Sequence, residues 1–411
     1  MEKYSITKLS NGTTIISEFI PYVKSFSLGF WFNAGTRDEN LKNNGISHFI
    51  EHMLFKGTKN RSARRISEEI ESYGGYLNAF TSKEHTCYYS RGLTNNLNRT
   101  FGILSDIIQN PLFRDSHIKK EAGVVIDELR DIHDNPEELI FDKFEEVIFR
   151  GNPLSYPIIG TEGNIRNFNT GKLQKFHRNK YNSGNLLIVA SGNVNHKDLV
   201  KLGERNIRKR KPVTELSREK FYRKKVNDLV VEKDFQQVHS IIGRSTIGFK
   251  NKKRLQVKIL STMLGEGSSS RLFQAVREKL GITYQINSFL NSYQDVSAFG
   301  VYFSTNGKQA KRVMDIVVKE FIKMKEKKIT EKELNRVKEY IKGGMLLSLE
   351  NTTNRMIRIA NSFLYFNRVI SLDDFIKKID SVTIDDITSI ANELLDEKKL
   401  SKVILTSNNT A

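Results

Sequence analysis

Two histidines and a glutamate stand close together early in the chain, as His48, Glu51 and His52 in the segment HFIEH. If this segment is helical, His48 and His52 lie one turn apart on one face, a spacing at which two imidazoles can reach one metal ion. Glu51 then lies beside the same ion, where its carboxylate could take a proton from an attacking water. The pattern predicts a catalytic zinc centre, and two helix histidines that only form hydrogen bonds are the alternative.

The residues around this segment have the pattern of a buried helix. Ile46, Phe49, Ile50 and Met53 repeat at helical spacing and predict a helix over about residues 45–55. Paired histidines in such a place need partners, because unpaired buried polar groups are costly. Catalytic zinc usually takes three protein ligands, so the third must come from another element.

A second predicted helix, over about residues 115–133, offers acidic candidates for the third ligand. They are Glu121, Asp127, Glu128 and Asp131. Glu121 and Glu128 are seven residues apart and therefore share a helix face. Spacing alone does not choose among the four acids, and each could equally be a solvated helix carboxylate.

Residues 45–58, reading GISHFIEHMLFKGT, resemble the inverted zinc motif of the pitrilysin/insulinase family of metallopeptidases. The closest likeness is to the processing-peptidase branch, the bacterial relatives of the β subunit of mitochondrial processing peptidase. In that family the third ligand is a glutamate about 75 residues after the second histidine, which is Glu128 here. The resemblance implies one zinc per chain on His48, His52 and Glu128, with Glu51 as general base and Glu121 behind the site.

Two further segments are similar to the same family. Residues 75–81, GYLNAFT, resemble its active-site edge strand, which implies that Asn78, Ala79 and Phe80 bind substrate. An exposed strand edge can accept an extended peptide as an additional strand, although an ordinary paired strand is the alternative. Arg277 and Tyr284, in REKLGITY, match the family's Arg/Tyr pair, which implies contacts to the substrate backbone and the developing oxyanion.

The order of predicted elements indicates an α+β fold with two similar halves, each a mostly antiparallel sheet covered by helices on one side. Met53-Leu54 and Met263-Leu264 lie 210 residues apart, as do Gly57 and Gly267. We predict a catalytic zinc-binding domain over 1–207, a linker over 208–227 and a similar domain without a metal site over 228–411.

Charge and composition exclude some classes of protein and leave others open. The net charge is +19, of which residues 201–411 carry +17. This basic half could bind nucleic acid, but no nucleic-acid-binding motif accompanies it, so we expect a solvated surface and no nucleic-acid partner. We see neither an apolar run long enough to span a membrane nor a signal peptide, and expect a cytoplasmic location.

The resemblance implies an endopeptidase that hydrolyses peptides or presequence-like segments in an enclosed chamber. Family members build that chamber from two similar halves, so a chain of 411 residues is expected to form a homodimer, or a heterodimer with a related subunit. An acidic stretch could favour basic peptides: Glu137, Glu138, Asp142, Glu145 and Glu146. The alternative is a non-catalytic structural or partner subunit of the same family; such subunits lose parts of the zinc motif.

Overall fold

The computed structural model of the chain describes residues 4–209, 218–223, 227–326 and 329–406. The strands in these residues are β1 (Tyr4–Lys8), β2 (Thr14–Phe19), β3 (Ser25–Phe32), β4 (Tyr76–Thr81), β5 (Thr86–Leu93), β6 (Leu186–Gly192), β7 (Leu229–Glu232), β8 (Val238–Ile247), β9 (Gln285–Ser292), β10 (Val296–Thr305) and β11 (Ser401–Thr406). The helices are α1 (Ile46–Leu54), α2 (Ala63–Glu71), α3 (Leu97–Gln109), α4 (Asp115–Asp134), α5 (Pro136–Ile148), α6 (Glu162–Arg166), α7 (Thr170–Lys180), α8 (His196–Asn206), α9 (Arg254–Gly265), α10 (Gly307–Glu326), α11 (Glu331–Ser348), α12 (Thr352–Phe366), α13 (Leu372–Asp380) and α14 (Ile384–Leu394).

The chain divides into two compact units, each assembled from three segments. Unit 1 comprises Met1–Arg130, Tyr156–Arg218 and Ser348–Ser371. Unit 2 comprises Asp131–Ser155, Glu219–Leu347 and Leu372–Ala411. Compared with the contiguous domains expected from the sequence, 1–207 and 228–411, helix α5 therefore goes to unit 2 and helix α12 to unit 1. The boundary after Arg218 falls within the predicted linker, 208–227, of which 210–217 and 224–226 lie outside the described residues.

The sheet of unit 1 has six strands in the order β1-β2-β6-β3-β5-β4. All neighbours are antiparallel except β2 and β6. The chain enters the sheet through a β1–β2 hairpin that turns at Asn11-Gly12, where the Leu9 amide donates to the Thr13 carbonyl at 2.8 Å. Gly12 has a φ of 97°, a left-handed conformation that glycine adopts without strain.

The central strand β3 is buried on both faces of this sheet. Successive side chains of a strand point to opposite sides, so β3 contributes to a core on each face. From β3, Phe30 packs edge-to-face on Phe101 of α3, with ring centroids 5.1 Å apart. Trp31 points to the other face, where it joins a core cluster with Met356 and Ile359 of α12. Helix α12 therefore covers part of the face opposite α3.

The sheet of unit 2 has the order β7-β11-β8-β10-β9, with β7 and β11 parallel and the other pairs antiparallel. This is the same order and pairing as β2-β6-β3-β5-β4 in unit 1. Helices α9, α10 and α14 share one core with this sheet. Helix α5 supplies Ile140 and Phe144 to a second core with β8 and β11. The predicted α+β fold with two similar halves is confirmed, and each sheet has helices on both faces rather than on one.

Helix ends in unit 1 follow the sequence signals. Ser62 caps α2 by accepting a hydrogen bond from the Arg65 amide at 3.2 Å. Helices α1 and α4 lie within a residue or so of their predicted bounds. In the described part of the chain, no helix combines the length and apolar character needed to span a membrane.

Candidate metal centre

Helix α1 carries the HFIEH segment with its polar residues on the less buried side. Phe49 and Ile50 are fully buried, whereas His48, Glu51 and His52 are partly exposed. The ring centroids of the two histidines are 4.7 Å apart. The helical spacing predicted from the sequence therefore brings both imidazoles side by side.

Helix α4 brings Glu128 to both imidazoles. The Nε2 atom of His48 lies 3.5 Å from Glu128 Oε1, and the Nε2 atom of His52 lies 3.5 Å from Glu128 Oε2. One ligand atom from each of the three residues lies within 4.8 Å of the other two. These atoms are close enough to share one metal ion.

The other acids of α4 have different partners. Asp127 pairs with Arg130 at 3.0 Å on the exposed side of the helix. Asp131 is exposed as well. Glu121 is buried and its Oε1 atom lies 3.0 Å from Nδ1 of His52. Among the four acids that the sequence left open, Glu128 is the one that lies between the two Nε2 atoms.

The chemistry of this donor set fits zinc. Two imidazole nitrogens and one carboxylate oxygen form a three-ligand set of the kind that leaves one position open in catalytic zinc sites. Burial, assisted by the nearby His52, lowers the pKa of His48 to about 4, so its ring is neutral near pH 7, the form that binds metals. Its Nδ1 atom is buried without a hydrogen-bond partner among the described residues.

Glu51 is held at the end of the edge strand β4. The Thr81 hydroxyl donates to Glu51 Oε2 at 2.5 Å. Burial raises the pKa of Glu51 above its ordinary value, and the hydrogen bond from Thr81 partly opposes this. A carboxylate with a raised pKa is better suited to accept and return a proton near neutral pH. Thr81 was missed from the sequence, where it is one more strand residue after Phe80.

Glu121 links a histidine to a lysine. Its Oε2 atom lies 2.8 Å from the Lys56 ammonium, while Oε1 faces His52. This carboxylate can accept the Nδ1–H of His52 and thereby leave Nε2 free for a metal. Lys56 was also missed, because it lies beyond the end of α1 at Leu54, where helical spacing no longer predicts which side a residue faces.

Strand β4 forms the edge of its sheet and pairs with β5 alone within the described residues. Asn78 is exposed, and its amide donates to the Tyr76 hydroxyl at 2.7 Å. Ala79 is half-buried. Phe80 packs edge-to-face on Trp31, with ring centroids 5.4 Å apart. Phe80 is therefore committed to the core. The Ala79 amide donates to Asn78 Oδ1 at 2.8 Å, so this edge has no neighbouring strand among the described residues but pairs with a peptide only when the Asn78 side chain turns away.

Arg277 and Tyr284 both lie in unit 2, where they line a cavity of about 460 Å³. Arg277 lies over the ring of Phe273, 5.0 Å from its centroid. Tyr284 is 77% exposed. The structure thus places this predicted pair together at one cavity of unit 2, and the metal ligands together in unit 1.

The predicted acidic face of α5 needs one correction. Glu137 lines the cavity that also contains Arg277 and Tyr284. Glu145, by contrast, is buried and accepts a hydrogen bond from the Tyr293 hydroxyl. The expectation that Glu145 is one of the acids that could favour basic peptides is wrong, because this side chain is buried and bonded to Tyr293.

Comparison with protein families gives two adjacent matches. Residues 14–162 match the insulinase family, peptidase family M16, and residues 167–341 match the peptidase M16 inactive domain. The first match contains all the residues of the candidate metal centre, and the second contains Arg277 and Tyr284.

Individual relatives align with almost the whole chain. An uncharacterized zinc protease of Rickettsia bellii is 34% identical to this chain, over 98% of both chains. The uncharacterized zinc protease YmxG of Bacillus subtilis is 33% identical, over 97% of both chains. A crystal structure of a protease from Helicobacter pylori has a TM-score of 0.92 and 25% identity, covering 99% of this chain and 100% of that one. A peptidase M16 inactive domain from Pseudomonas fluorescens, 18% identical with a TM-score of 0.91, shares the fold over 99% and 98% of the two chains.

Proposed function

Because this chain belongs to the insulinase family of peptidases, family M16, we propose that it is a zinc-dependent endopeptidase of the processing-peptidase type. The observation that carries the proposal is the approach of His48, His52 and Glu128 to within 4.8 Å of one another, with Glu51 alongside. The relatives named as zinc proteases support the same chemistry.

His48 and His52 would hold one zinc ion through Nε2, and Glu128 through its carboxylate. When bound there, zinc would supply a Lewis acid that polarises the scissile carbonyl and makes water acidic enough to attack near pH 7. Glu51 takes the proton of the attacking water on its carboxylate and returns it to the amine that leaves. Thr81 orients Glu51 by donating to Oε2, and Glu121 orients His52 through Nδ1.

The peptide would bind as a further strand on the free edge of β4. Main-chain hydrogen bonds to Asn78 and Ala79, made once Asn78 Oδ1 releases the Ala79 amide, would hold the peptide extended and would depend little on its side chains. Because Thr81 at the end of the same strand contacts Glu51, a peptide aligned on β4 runs toward the proposed base. Phe80 would act by fixing the strand on Trp31, a narrower role than the substrate contact that the resemblance implied.

Arg277 and Tyr284 would complete the site from a second subunit. In this proposal two copies of the chain, or one copy and a related chain, enclose the peptide, and Tyr284 donates to the developing oxyanion while Arg277 binds the peptide backbone. The 77% exposure of Tyr284 leaves its hydroxyl accessible for such a role. Glu137, at the same cavity, would favour basic or presequence-like peptides.

Metal analysis joined to an activity assay tests the proposal. We expect about one zinc per chain and cleavage of a basic peptide that is lost with a chelator and restored by zinc. Glu128→Gln should weaken zinc binding by more than the roughly 10–100-fold typical of a residue that only supports a ligand. Asp127→Asn, on the same helix, is the matched control and should bind zinc normally.

The same experiment separates the enzyme from a non-catalytic structural subunit. A chain that binds zinc yet cleaves no peptide, alone or with a related subunit, would favour the structural alternative. Metal-free protein that still cleaves peptides would eliminate the mechanism. Normal zinc binding in Glu128→Gln would mean that another acid is the third ligand.

A further inference from the structure

The start of the metal-binding helix is capped by a residue from outside the helix. Helix α1 begins after Gly45, which has a φ of 94° and no side chain that could accept a hydrogen bond. Glu39 supplies the missing acceptors. Its Oε2 atom accepts from the Gly45 amide at 2.8 Å, and Oε1 accepts from the Ser47 amide at 2.8 Å. The second of these bonds ends on the residue immediately before His48.

Glu39 is placed as a fixed support for the helix. It is 5% exposed. Its Oε2 atom also accepts from the Asn44 side-chain amide at 3.0 Å, and that same amide donates to the Pro157 carbonyl at 2.9 Å. The described residues provide no ion-pair partner for Glu39, so N–H groups at the helix start and on Asn44 are what offset part of the cost of burying its charge.

The backbone beside Glu39 leaves the helix start little freedom to move. A Cβ atom at Gly45 would lie 2.6 Å from the Ile159 carbonyl oxygen, and one at Gly160 would lie 2.6 Å from the Asn44 carbonyl oxygen. The two glycines thus permit a close backbone contact on one side of the helix start, while the Glu39 carboxylate holds the other.

We infer that Glu39 is a positioning residue for the metal centre, which sets where α1 begins and thereby the position of His48 relative to Glu128. The inference rests on the proposed function, because the position of His48 matters only if it binds a metal. Gly45, the residue at the N-cap position, makes no side-chain hydrogen bond that could cap this end of α1.

Glu39→Gln tests the inference with a side chain of the same shape. A carboxylate offers two acceptor oxygens, whereas an amide offers one oxygen and one NH₂ group. In either orientation the NH₂ group would face a backbone N–H, of Ser47 or of Gly45, and push the helix start away. Glu39→Asp keeps the charge but is one methylene too short to reach both amides.

Glu18→Gln is the matched control. Glu18 is another buried carboxylate of unit 1, but it binds Ser191 and Arg355 at 2.8 and 2.7 Å rather than α1. The wild type and the three variants would be compared well below their melting temperatures and at about pH 8. Burial raises the pKa of Glu39 to about 7, so its carboxylate is mostly ionised at that pH. Zinc affinity is measured by competition with a chelator, and site geometry by the absorption spectrum of the cobalt(II)-loaded protein.

We expect Glu39→Gln and Glu39→Asp to weaken zinc binding about 10-fold or more and to alter the cobalt spectrum. Glu18→Gln should lower the melting temperature without either change. Wild-type zinc affinity in Glu39→Asp, or in a folded Glu39→Gln, would overturn the inference, as would an equal loss in Glu18→Gln. Failure of the wild-type protein to bind zinc would instead refute the proposed function.

Discussion

The two units place the same kind of helix beside the same edge of the same kind of sheet, yet the helices carry different residues. In unit 1, α1 lies against edge strand β4, and in unit 2, α9 lies against edge strand β9. The offset of 210 residues that relates Met53 to Met263 also pairs the metal-centre residues with polar ones. It relates His48, Glu51 and His52 to Lys258, Ser261 and Thr262.

In unit 2 these three side chains have partners in the same unit, and that of Thr262 is the Lys258 carbonyl at 2.9 Å. Lys258 pairs with Glu266 at 2.6 Å. The Ser261 hydroxyl lies 3.2 Å from that of Ser288 on β9. In unit 1, by contrast, the imidazoles converge on Glu128 and a buried ring nitrogen of His48 has no partner among the described residues. The shared architecture therefore does not need a metal, and the proposed chemistry depends on a few side chains of one helix face.

The largest effect is expected when the proposed base of unit 1 is removed. Glu51→Gln is expected to retain zinc and lower kcat by about 10²–10⁴-fold, because it loses the proton acceptor and keeps the ligands. Ser261→Ala, at the corresponding position of unit 2, is the control and should leave kcat unchanged. Kinetics with metal analysis decides the matter: a Glu51→Gln enzyme with most of its kcat would show that Glu51 is not the base.

A second test asks whether unit 2 takes part in catalysis. Tyr284→Phe should lower kcat by about 10²-fold, since an oxyanion donor contributes on the order of 3 kcal/mol. Tyr302→Phe is the control at the same cavity, because the Tyr302 hydroxyl is engaged with His239 at 2.9 Å. Tyr302→Phe should lower the free energy of unfolding and leave kcat unchanged.

Mixing the two variants tests the proposed dimer. After subunit exchange, Tyr284→Phe and Glu51→Gln proteins should recover up to about a quarter of wild-type activity, because half of the dimers are mixed and each has one intact site. No recovery despite confirmed exchange would place both groups in one subunit. A fully active monomer would show that the active site does not need a second subunit.

A third test uses the buried acid that holds α1. At the same offset the counterpart of Glu39 is Phe249. Burial raises the pKa of Glu39 to about 7, above its ordinary value. The folded protein therefore keeps a proton on Glu39 that the unfolded chain releases, and the free energy of unfolding falls as pH rises from about 4.5 to about 7, by at most about 1.4 kcal/mol per pH unit. The ionised form that caps α1 is reached at the upper end of this range.

Unfolding by denaturant across this pH range measures that slope. Glu39→Gln cannot titrate, so the difference in unfolding free energy between wild type and variant should shrink with rising pH. Parallel pH profiles for the two proteins would show that Glu39 does not change its protonation over this range on folding.

The smallest expected effect concerns substrate charge. Glu137→Lys should raise KM for basic peptides by up to about 5-fold, a range typical of an exposed ion pair, and should leave neutral peptides unaffected. The effect should weaken with added salt. Glu146→Lys, on the same helix but paired with Lys143 at 2.8 Å, is the control. An equal change in KM for basic and neutral peptides would show that Glu137 does not attract the charge of the substrate.

The sequence predicts the parts of the site that lie within one element. The helical spacing of His48 and His52 is a local property, and the structure forms it as expected. The choice of Glu128 over Glu121 came from resemblance, because helical spacing gives both carboxylates the same face. Contacts made by Thr81 and Lys56 depend on how strands and loops meet, which local patterns do not encode.

Burial of single acids was harder to predict. Glu145 lies in a run of acidic residues that is typical of a solvated helix face, but its partner Tyr293 lies almost 150 residues away in the sequence. Glu39 has no periodic pattern around it, and its role depends on a loop that folds back onto α1. The assignment of α5 to unit 2 and of α12 to unit 1 was missed for the same reason, since the sequence of an amphipathic helix does not specify which sheet it covers.

The origin of α12 in the last quarter of the sequence has a consequence for biosynthesis. A ribosome completes β3 early and α12 late, so the Trp31 face of the first sheet must wait through most of translation for Met356 and Ile359 to cover it. Apolar surface exposed for that long promotes aggregation of the nascent chain. A truncated chain that ends before Thr352 would contain every proposed zinc ligand, yet it would keep that surface uncovered permanently.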